Sequence, residues 1–337
     1  STRVNKKRRL VFFACGATIF GILVARMGLS TIVTNARQAG WVFIPLLVLT
    51  GAMYACHGAA SWLMLAQEPG RPSFWRTWAI TVSGFSINYV TPMVNLGGEP
   101  YKAAALAPWI GARRAAGFVV LYQMMHSLAI ALVSLTALAL GALLLPADPA
   151  LRGVMALAAA GLVAGTLFLF WAHRHGGLQR TLDLVLRLPL LRRLARRAEP
   201  YRPTLALIDE QITAFYHADR RRFFLALALE YVGRALLMSE YYLILLSMGI
   251  DVGWARAFVV GGLASLVGNA MFMLPYELGA KEGSLYLLFR LVGVNPTLGV
   301  YAALVSRLRD LAWIGIGLVL IWVAGRRGAP APAPSDA

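Results

Sequence analysis

The chain has 337 residues, of which 59% are hydrophobic and only 14% are charged. Soluble domains carry about 25% charged residues, so this composition excludes an ordinary soluble enzyme or binding domain. The formal net charge of +17 would suggest nucleic-acid binding in a soluble protein, but here the basic residues cluster between and beside apolar runs. That distribution is typical of the cytoplasmic loops of a membrane protein, and we expect no nucleic-acid partner.

Six apolar runs are long enough to cross a bilayer, which takes about 20 residues. They cover residues 10–28, 41–66, 115–145, 151–172, 223–249 and 297–325. The sequence therefore predicts an all-α polytopic membrane protein with about six full spans. Residues 329–337 are rich in alternating alanine and proline, which predicts a disordered tail.

Two further apolar regions, residues 77–110 and 257–292, are interrupted by many glycines and prolines. Such residues open a helix and release backbone groups that only protein or water can satisfy inside a membrane. Each region is therefore predicted to form a re-entrant helical hairpin, which enters the membrane and returns to the side it came from.

The distribution of arginine supports this topology. Segment 173–222 contains eleven arginines and five acidic residues, so the positive-inside rule places it in the cytoplasm. If region 77–110 crossed the membrane once, this segment and the Arg113–Arg114 pair would lie outside. A re-entrant hairpin places both clusters and both termini inside. Leucines and arginines on opposite faces make the segment amphipathic, so we expect it to bind the anionic inner leaflet.

The two interrupted regions resemble each other in sequence. The shared residues are Ser83 with Ser265, Asn88 with Asn269, Pro92 with Pro275, and Glu99 with Glu282. One hairpin would enter from the cytoplasm and the other from outside. We therefore predict a single transmembrane domain, residues 1–328, whose halves 10–172 and 223–325 form an inverted repeat. Such repeats place a substrate site near the bilayer midplane, at broken helices.

Lysine gives the sharpest functional signal. The chain has four lysines, and the two internal ones, Lys102 and Lys281, lie one in each interrupted region. Each follows a predicted helix start, where free N–H groups and the helix dipole attract anions. Glu99 and Glu282 stand beside them, and helix capping or pairing with the lysine would also explain them. We predict that these four residues and Arg307 bind the substrate, through an anionic headgroup such as a phosphate.

Other polar residues are candidates for a cavity or a proton path. They are Asn88, Asn269, Glu277, Glu240 and Arg234. Arg234 could instead neutralise Glu230, four residues earlier on the same helix. Glu240 has no local partner in the sequence. His57 and His126 lie inside spans, where hydrogen bonds between helices explain them better than a metal site or a proton relay.

Several chemical motifs are missing from the sequence. It contains no GxxxxGK[ST] loop, no HExxH motif, and no Cys/His cluster with metal-ligand spacing. We therefore expect no ATP-driven pumping, no metal centre, no cofactor and no enzymatic activity.

Residues 96–103, Leu-Gly-Gly-Glu-Pro-Tyr-Lys-Ala, resemble a signature of the lysylphosphatidylglycerol synthase transmembrane-region family, which is also called flippase-like. A second signature of that family, Pro-Gly-Gly-Leu-Gly-x-x-Glu-Gly, is matched by residues 275–283 except at Tyr276 and Glu277. The resemblance implies a module that moves lipids between leaflets, here in a stand-alone form without a soluble transferase domain. The family includes members associated with hopanoid synthesis and others associated with polyprenyl-linked sugars or phospholipids.

The sequence thus favours a lipid transporter or flippase of the bacterial inner membrane, with both termini cytoplasmic. Its expected partners are membrane lipids with an anionic, polyprenyl-linked or hopanoid-type structure. One alternative is a membrane enzyme that uses Glu99 or Glu282 as acid or base. Another is a scaffold that docks biosynthetic enzymes through segment 173–222.

Overall fold

The computed structural model of the protein describes residues 40–90, 97–146, 148–175, 177–187, 202–270 and 280–326, and the single residues 18, 30, 37 and 199. Some predictions concern residues outside this part, including the pairing of Pro92 with Pro275 and three others. The three others are the first span over 10–28 (apart from residue 18), the tail over 329–337, and the role of Glu277.

Within the described part of the chain all regular structure is helical and there is no strand, which confirms the all-α prediction. A short 3-10 turn at Gly40–Val42 leads into the first helix. The helices are α1 (Phe43–Met64), α2 (Phe74–Val90), α3 (Gly98–Ile110), α4 (Ala112–Leu144), α5 (Pro149–His175), α6 (Leu178–Arg187), α7 (Arg202–Ala218), α8 (Arg220–Met238), α9 (Glu240–Ser247), α10 (Trp254–Ala270), α11 (Ala280–Leu291) and α12 (Thr297–Arg326).

Three helical segments are long and apolar enough to cross a membrane, namely Gly40–Met64, Ala112–Leu144 and Pro149–His175. They coincide with three of the six predicted runs. The run 223–249 is divided between α8 and α9 at Ser239. Helix α12 has 30 residues and is therefore about 45 Å long, but it carries charged residues in its middle.

Helix α5 presents apolar side chains outward. Leu157 is 76% exposed and Leu167 is 64% exposed. A soluble protein rarely exposes a contiguous surface of this kind, whereas lipid tails cover it without cost. This exposed apolar surface and the three long apolar helices identify an integral membrane protein.

Region 77–110 forms a helical hairpin of α2 and α3. Three contacts join its limbs along their length: Arg76 with Trp109, Gly84 with Lys102, and Asn88 with Gly98. Residue numbers rise along one limb while those of their contacts fall along the other, so the limbs are antiparallel. The short connection between them, residues 91–96, lies outside the described residues.

Both ends of this hairpin lie at the same end of the helix bundle. Arg114, at the start of α4, forms an ion pair with Glu68, just after α1, at 3.2 Å. Gly70 faces the carbonyl group of Trp109, near the end of α3. The chain that leaves α1 beside Glu68 therefore returns to the same end before α4 begins, which agrees with the re-entrant prediction.

The second hairpin opens at the opposite end. Its limbs α10 and α11 pack together. Val252, before α10, and Val294, after α11, share one apolar cluster with Val42. Val42 precedes α1 whereas Glu68 follows it, and the 22 residues of α1 separate the two ends by about 33 Å.

Helix packing repeats in the two halves of the bundle. Helix α2 packs against α12 as α10 packs against α4, and α3 packs against α4 as α11 packs against α12. Helices α1 and α8 pack against each other at the centre. Exchanging α1 with α8, α2 with α10, α3 with α11 and α4 with α12 leaves this pattern unchanged. With hairpins that open at opposite ends, this is the arrangement of an inverted repeat.

Part of the arginine-rich segment belongs to the core. Three side chains of α7 are buried against α4: Ile208, Ile212 and Phe215. The Asp209 carboxylate of α7 accepts hydrogen bonds from the backbone N–H groups of Gly177 and Gln179, at 3.0 Å each, which caps the start of α6. Helix α7 is therefore packed on the bundle through this face. Residues 191–198 are outside the described part.

Replacing Gly98 with alanine is expected to destabilise the first hairpin. A Cβ at this position meets the carbonyl oxygen of Gly84 and the side chain of Asn88. Overpacking of this kind costs about 1–3 kcal/mol, which thermal unfolding in detergent would detect. Gly283→Ala in α11 is the control, because nothing lies within 4 Å of its Cβ position. Equal melting temperatures for the two variants would contradict a tight contact between the limbs.

Candidate functional site

The first buried charge cluster begins at the start of α3. Glu99 lies in the first turn of α3, and Lys102 follows three residues later on the same face. Lys102 Nζ donates to Glu99 Oε1 at 3.0 Å, and Asn88 Nδ2 donates to the same oxygen at 3.4 Å. The other carboxylate oxygen, Glu99 Oε2, is buried and has no hydrogen-bond partner in the described part of the protein.

Lys102 is held between aromatic rings. Its side chain is 3% exposed, and Nζ lies 4.7 Å from the ring centroid of Phe85 and 4.6 Å from that of Tyr122. The ring faces replace part of the hydration that burial removes from the ammonium group. An ammonium has three N–H donors. Among the described residues only Glu99 accepts one of them, so this cation has donors to offer to a further anion.

Two histidines and a carboxylate lie directly behind these rings. Glu230 Oε2 is 2.8 Å from His57 Nδ1 and 2.7 Å from His126 Nδ1. The three residues are at most 6% exposed and come from α1, α4 and α8. The Phe85 ring contacts both histidines, with centroid distances of 5.7 and 5.5 Å, and therefore connects this group with Lys102. We call His57, Glu230 and His126 the histidine–glutamate triad.

Arg234 determines the tautomer of His126. Its Nη2 lies 3.0 Å from His126 Nε2, and a guanidinium can only donate hydrogen bonds. Nε2 is therefore the acceptor, and the ring proton sits on Nδ1, from which it donates to Glu230. A metal ion on His126 Nδ1 would move that proton to Nε2, against Arg234. Although the ligand atoms of the triad lie within 4.8 Å of one another, their hydrogen bonding favours a proton network over a metal site.

The second buried charge cluster surrounds Arg309 of α12, which is 2% exposed. Its Nη1 lies 2.9 Å from Glu240 Oε2, and its Nη2 lies 2.8 Å from Asp310 Oδ1. Nη1 also donates to Thr50 Oγ1 at 3.4 Å, and Ser306 donates to Glu240 Oε1 at 3.1 Å. Glu240, which has no local partner in the sequence, is thus neutralised across the bundle.

The start of α11 extends this cluster towards its partly exposed edge. Lys281 Nζ lies 3.7 Å from Asp310 Oδ2, and Arg307 Nη2 lies 2.7 Å from Glu282 Oε1. From the sequence alone, Lys281 and Glu282 could pair with each other as neighbours. Each instead pairs with a residue of α12.

The two clusters occupy equivalent places in the repeat. In each, a side chain of the long helix after the hairpin contacts both α1 and the run 223–249: His126 contacts His57 and Glu230, and Arg309 contacts Thr50 and Glu240. In each, the first five residues of the second hairpin limb include a lysine and a glutamate. The internal symmetry therefore relates the charge clusters as well as the helices.

The predicted substrate residues divide between these clusters. Glu99 and Lys102 lie in the first, while Lys281, Glu282 and Arg307 lie in the second. No hydrogen bond or ion pair joins the two lysines in the described part of the chain, and each has its own carboxylate partner.

The predicted cavity residues are more dispersed. Asn88, Arg234 and Glu240 are in the clusters. Asn269 lies near the end of α10, is exposed, and donates to Ser265 Oγ at 3.4 Å. It does not join a cluster through any described contact. Glu277 is outside the described residues.

Several members of these clusters have partners that the sequence does not reveal. Glu230 was matched with Arg234 on its own helix, yet its partners are two histidines on other helices. Asp310 stands three residues after Arg307, a spacing that favours an ion pair on one helix, yet it pairs with Arg309. The available signal was that every ionisable side chain within an apolar run needs a partner, and local spacing does not identify it.

An apolar cavity of about 260 Å³ lies beside the first hairpin. It is lined by α2, α3 and the last turns of α12. Trp75 and Trp109 stand at the base of the hairpin, and Ser83 and Tyr101 lie deeper, each one residue from a member of the Gly84–Lys102 contact. The cavity therefore extends along the α12 side of the hairpin, from its base to the level of the Gly84–Lys102 contact.

Comparison with known proteins gives one match. The family model described as the lysylphosphatidylglycerol synthase TM region matches residues 9–318. No curated protein and no solved structure matches the chain. The matched range contains both hairpins and every residue of the two charge clusters.

Proposed function

Because the chain belongs to the lysylphosphatidylglycerol synthase transmembrane-region family, we propose that it moves a lipid with an anionic headgroup between membrane leaflets. Membership makes it a membrane protein of lipid metabolism or transport. The finer assignment is that an intact lipid is translocated without a chemical change. It is supported chiefly by one observation: the two helical hairpins open at opposite ends of the bundle, and each has a lysine and a glutamate near the start of its second limb, α3 or α11.

Opposed hairpins suit a site that must face each leaflet in turn. Each outer limb, α2 or α10, has 17 residues and is about 25 Å long, which is less than a full span. The inner limbs, α3 and α11, therefore begin within the bundle rather than at its surface. In inverted-repeat transporters, helix starts at this depth bind the polar part of the substrate.

Lys102 is the residue best suited to bind the headgroup. Its ammonium is desolvated and close to the N-terminus of α3, where backbone N–H groups add further donors. A phosphate there would accept charge-assisted hydrogen bonds, which are the strongest of the common types. The lipid tails would stay in the bilayer.

The proposal includes an orientation in the bacterial inner membrane. Arg114 lies at the same end of the bundle as the base of the first hairpin, and α7 of segment 173–222 packs on α4. We place this end and both termini in the cytoplasm. Basic side chains there would bind the anionic leaflet, each adding about 1 kcal/mol.

Labelling with a membrane-impermeant thiol reagent would test this orientation. In a background without Cys15 and Cys56, a cysteine at exposed position 203 is expected to be protected in intact cells. A cysteine at position 147, in the short connection between α4 and α5, is expected to be labelled. The reverse pattern would contradict the orientation, because both sites would then lie on the wrong sides.

Reconstituted vesicles would test transport itself. Purified protein is placed in liposomes that contain fluorescent phosphatidylglycerol, phosphatidic acid, polyprenyl phosphate or zwitterionic phosphatidylcholine. Dithionite then bleaches the outer leaflet. We expect an anionic lipid to become fully bleachable with the protein present, while phosphatidylcholine keeps its protected fraction. Bleaching no faster than in empty vesicles, for every anionic probe, would refute the proposal.

Mass spectrometry of the recovered lipid separates transport from the enzymatic alternative. A transported lipid keeps its mass, whereas a lipid-modifying enzyme that uses Glu99 or Glu282 as acid or base changes it. Unchanged lipid that also fails to move would leave a scaffold in a biosynthetic complex as the remaining hypothesis.

A further inference from the structure

The histidine–glutamate triad has no role in headgroup binding as proposed above. Its three side chains are buried at the centre of the bundle, between α1, α4 and α8. Ionisable groups at this depth are costly and commonly mark the path of an ion or a proton. A triad with two imidazoles suits a proton, because imidazole is the side chain that gains or loses one near neutral pH.

The triad has one place for an additional proton. His126 is already committed at both nitrogens, since Nδ1 donates to Glu230 and Nε2 accepts from Arg234. His57 differs, because its Nδ1 is 2.8 Å from Glu230 Oε2 yet makes no hydrogen bond within the described structure. Glu230 Oε1 is also buried and has no partner among the described residues. A proton on His57 would therefore meet a carboxylate with unused acceptor capacity.

The surroundings of the triad balance in charge without that proton. The charged and titratable side chains nearest the triad are Tyr54 and Cys56 on α1, Glu99 and Lys102 on α3, Tyr122 on α4 and Arg234 on α8. Beyond Tyr54 lies the second cluster, with Glu240 on α9 and Arg309 and Asp310 on α12. Helix α2 contributes the apolar ring of Phe85. With neutral histidines, Glu230 balances Arg234 and Glu99 balances Lys102. Glu240 and Asp310 are balanced by Arg309 and Lys281.

We infer that the triad takes up one proton, on His57, when an anionic headgroup binds at Lys102, so that lipid transport is coupled to a proton gradient. This inference rests on the proposed function, because it assigns the coupling ion of the same transport. Lys102 Nζ and the His57 ring both contact one side chain, Phe85. A buried anion without compensation is strongly unfavourable, and a proton one ring away restores neutrality.

Two quantitative consequences follow for a headgroup with one negative charge. Lipid and proton together carry no net charge, so a membrane potential imposed with potassium and valinomycin is expected to leave the lipid distribution unchanged. A pH difference of one unit is expected to support a transbilayer lipid ratio of about tenfold, since one proton accompanies each lipid. The lipid accumulates on the alkaline side, because the proton moves down its gradient.

The test uses the same proteoliposomes with a pH difference across the membrane and fluorescent phosphatidylglycerol, or whichever anionic probe exchanges without a gradient. His57→Asn and Glu230→Gln are expected to reduce the gradient-driven ratio to about one while exchange without a gradient continues. His175→Asn is the matched control, because His175 is exposed at the end of α5 and contacts only Trp171 among the interactions described.

The outcomes separate this inference from the proposed function. If the wild-type protein exchanges anionic lipid but a pH difference never changes its distribution, the proton inference is wrong and the proposed function stands. If no anionic lipid exchanges under any condition, the proposed function fails first. A His57→Asn variant that retains the wild-type ratio would overturn the assignment of the proton to the triad.

A measurement on unmodified protein covers the case in which the variants do not fold. Short-chain phosphatidylglycerol is added to wild-type protein in weakly buffered detergent. We expect the protein to take up about one proton per bound lipid, which raises the pH of the solution. Phosphatidylcholine should give no such change. No proton uptake with phosphatidylglycerol, or a stoichiometric metal ion in purified protein, would overturn the inference.

Discussion

Arg309→Met is expected to lower the free energy of unfolding by about 3–5 kcal/mol, the usual cost of removing one partner from a buried ion pair. Arg309 is 2% exposed and neutralises both Glu240 and Asp310. Methionine fills a similar volume but leaves two carboxylates in the bundle without their main cation. Lys281, at 3.7 Å from Asp310, offers only partial compensation. Reversible unfolding in mixed micelles would measure the loss.

Two further variants define what this result means. Arg290→Met is the control, because Arg290 is exposed in α11. This substitution should change the free energy of unfolding by no more than about 0.5 kcal/mol, as is usual for surface positions. Adding Glu240→Gln and Asp310→Asn to Arg309→Met is expected to recover much of the loss, since no unpaired charge remains. A single variant as stable as the wild type would mean that Arg309 is not the cation that holds this cluster together.

Lys102→Gln is expected to weaken headgroup binding by about 1.5–3 kcal/mol, the usual range for a hydrogen bond to a charged group. The structure adds a reason for lysine rather than arginine. Lys102 lies between the rings of Phe85 and Tyr122, and its methylene chain packs against Gly84, so the larger guanidinium group would have to displace one of these neighbours. We therefore expect Lys102→Arg to rescue poorly. Lipid exchange in vesicles and direct binding of short-chain phosphatidylglycerol would measure both effects.

The ion pair between Lys102 and Glu99, at 3.0 Å, makes a second explanation concrete. If Lys102 serves only to neutralise Glu99, the double variant Glu99→Gln with Lys102→Gln should restore exchange, because no unpaired charge is left. If Lys102 binds the headgroup, the double variant stays impaired while its stability recovers. Measuring stability and exchange on the same preparations separates the two roles, and restored exchange would rule out the headgroup role.

Lys281 differs from Lys102 in its environment, although it occupies the equivalent limb. Its side chain is 19% exposed and its partner, Asp310, is shared with Arg309. The prediction that Lys102 and Lys281 act on one ligand remains a prediction. If they do, the effects of the two Gln variants on exchange will not add, because both would act on the same headgroup.

The sequence was sufficient to predict the hairpins. Region 77–110 was predicted to return to its own side from glycine and proline content and from the position of Arg113–Arg114. The ion pair of Arg114 with Glu68 places its ends together as expected. The prediction worked because the bilayer restricts the possibilities, since backbone polarity and charged loops leave few ways for a chain to cross it.

The ion-pair partners could not be predicted in the same way. Spacing along a helix matched Glu230 with Arg234 and Arg307 with Asp310. In the structure Glu230 lies with His57 and His126. Spacing reports only which residues share a helix face, whereas a buried charge is neutralised by whichever opposite charge packing brings within about 4 Å.

Composition and pattern by themselves thus determined the membrane class, the helical fold, the two interrupted regions and the residues that are costly to bury. These follow from the energy of placing single residues in lipid, which depends on residue type. Only the tertiary structure decided which charges meet, because α1, α4 and α8 must pack before the triad exists, and α9 must approach α12 before Glu240 reaches Arg309. Those contacts depend on distances between helices, which are set by the packing of the whole bundle.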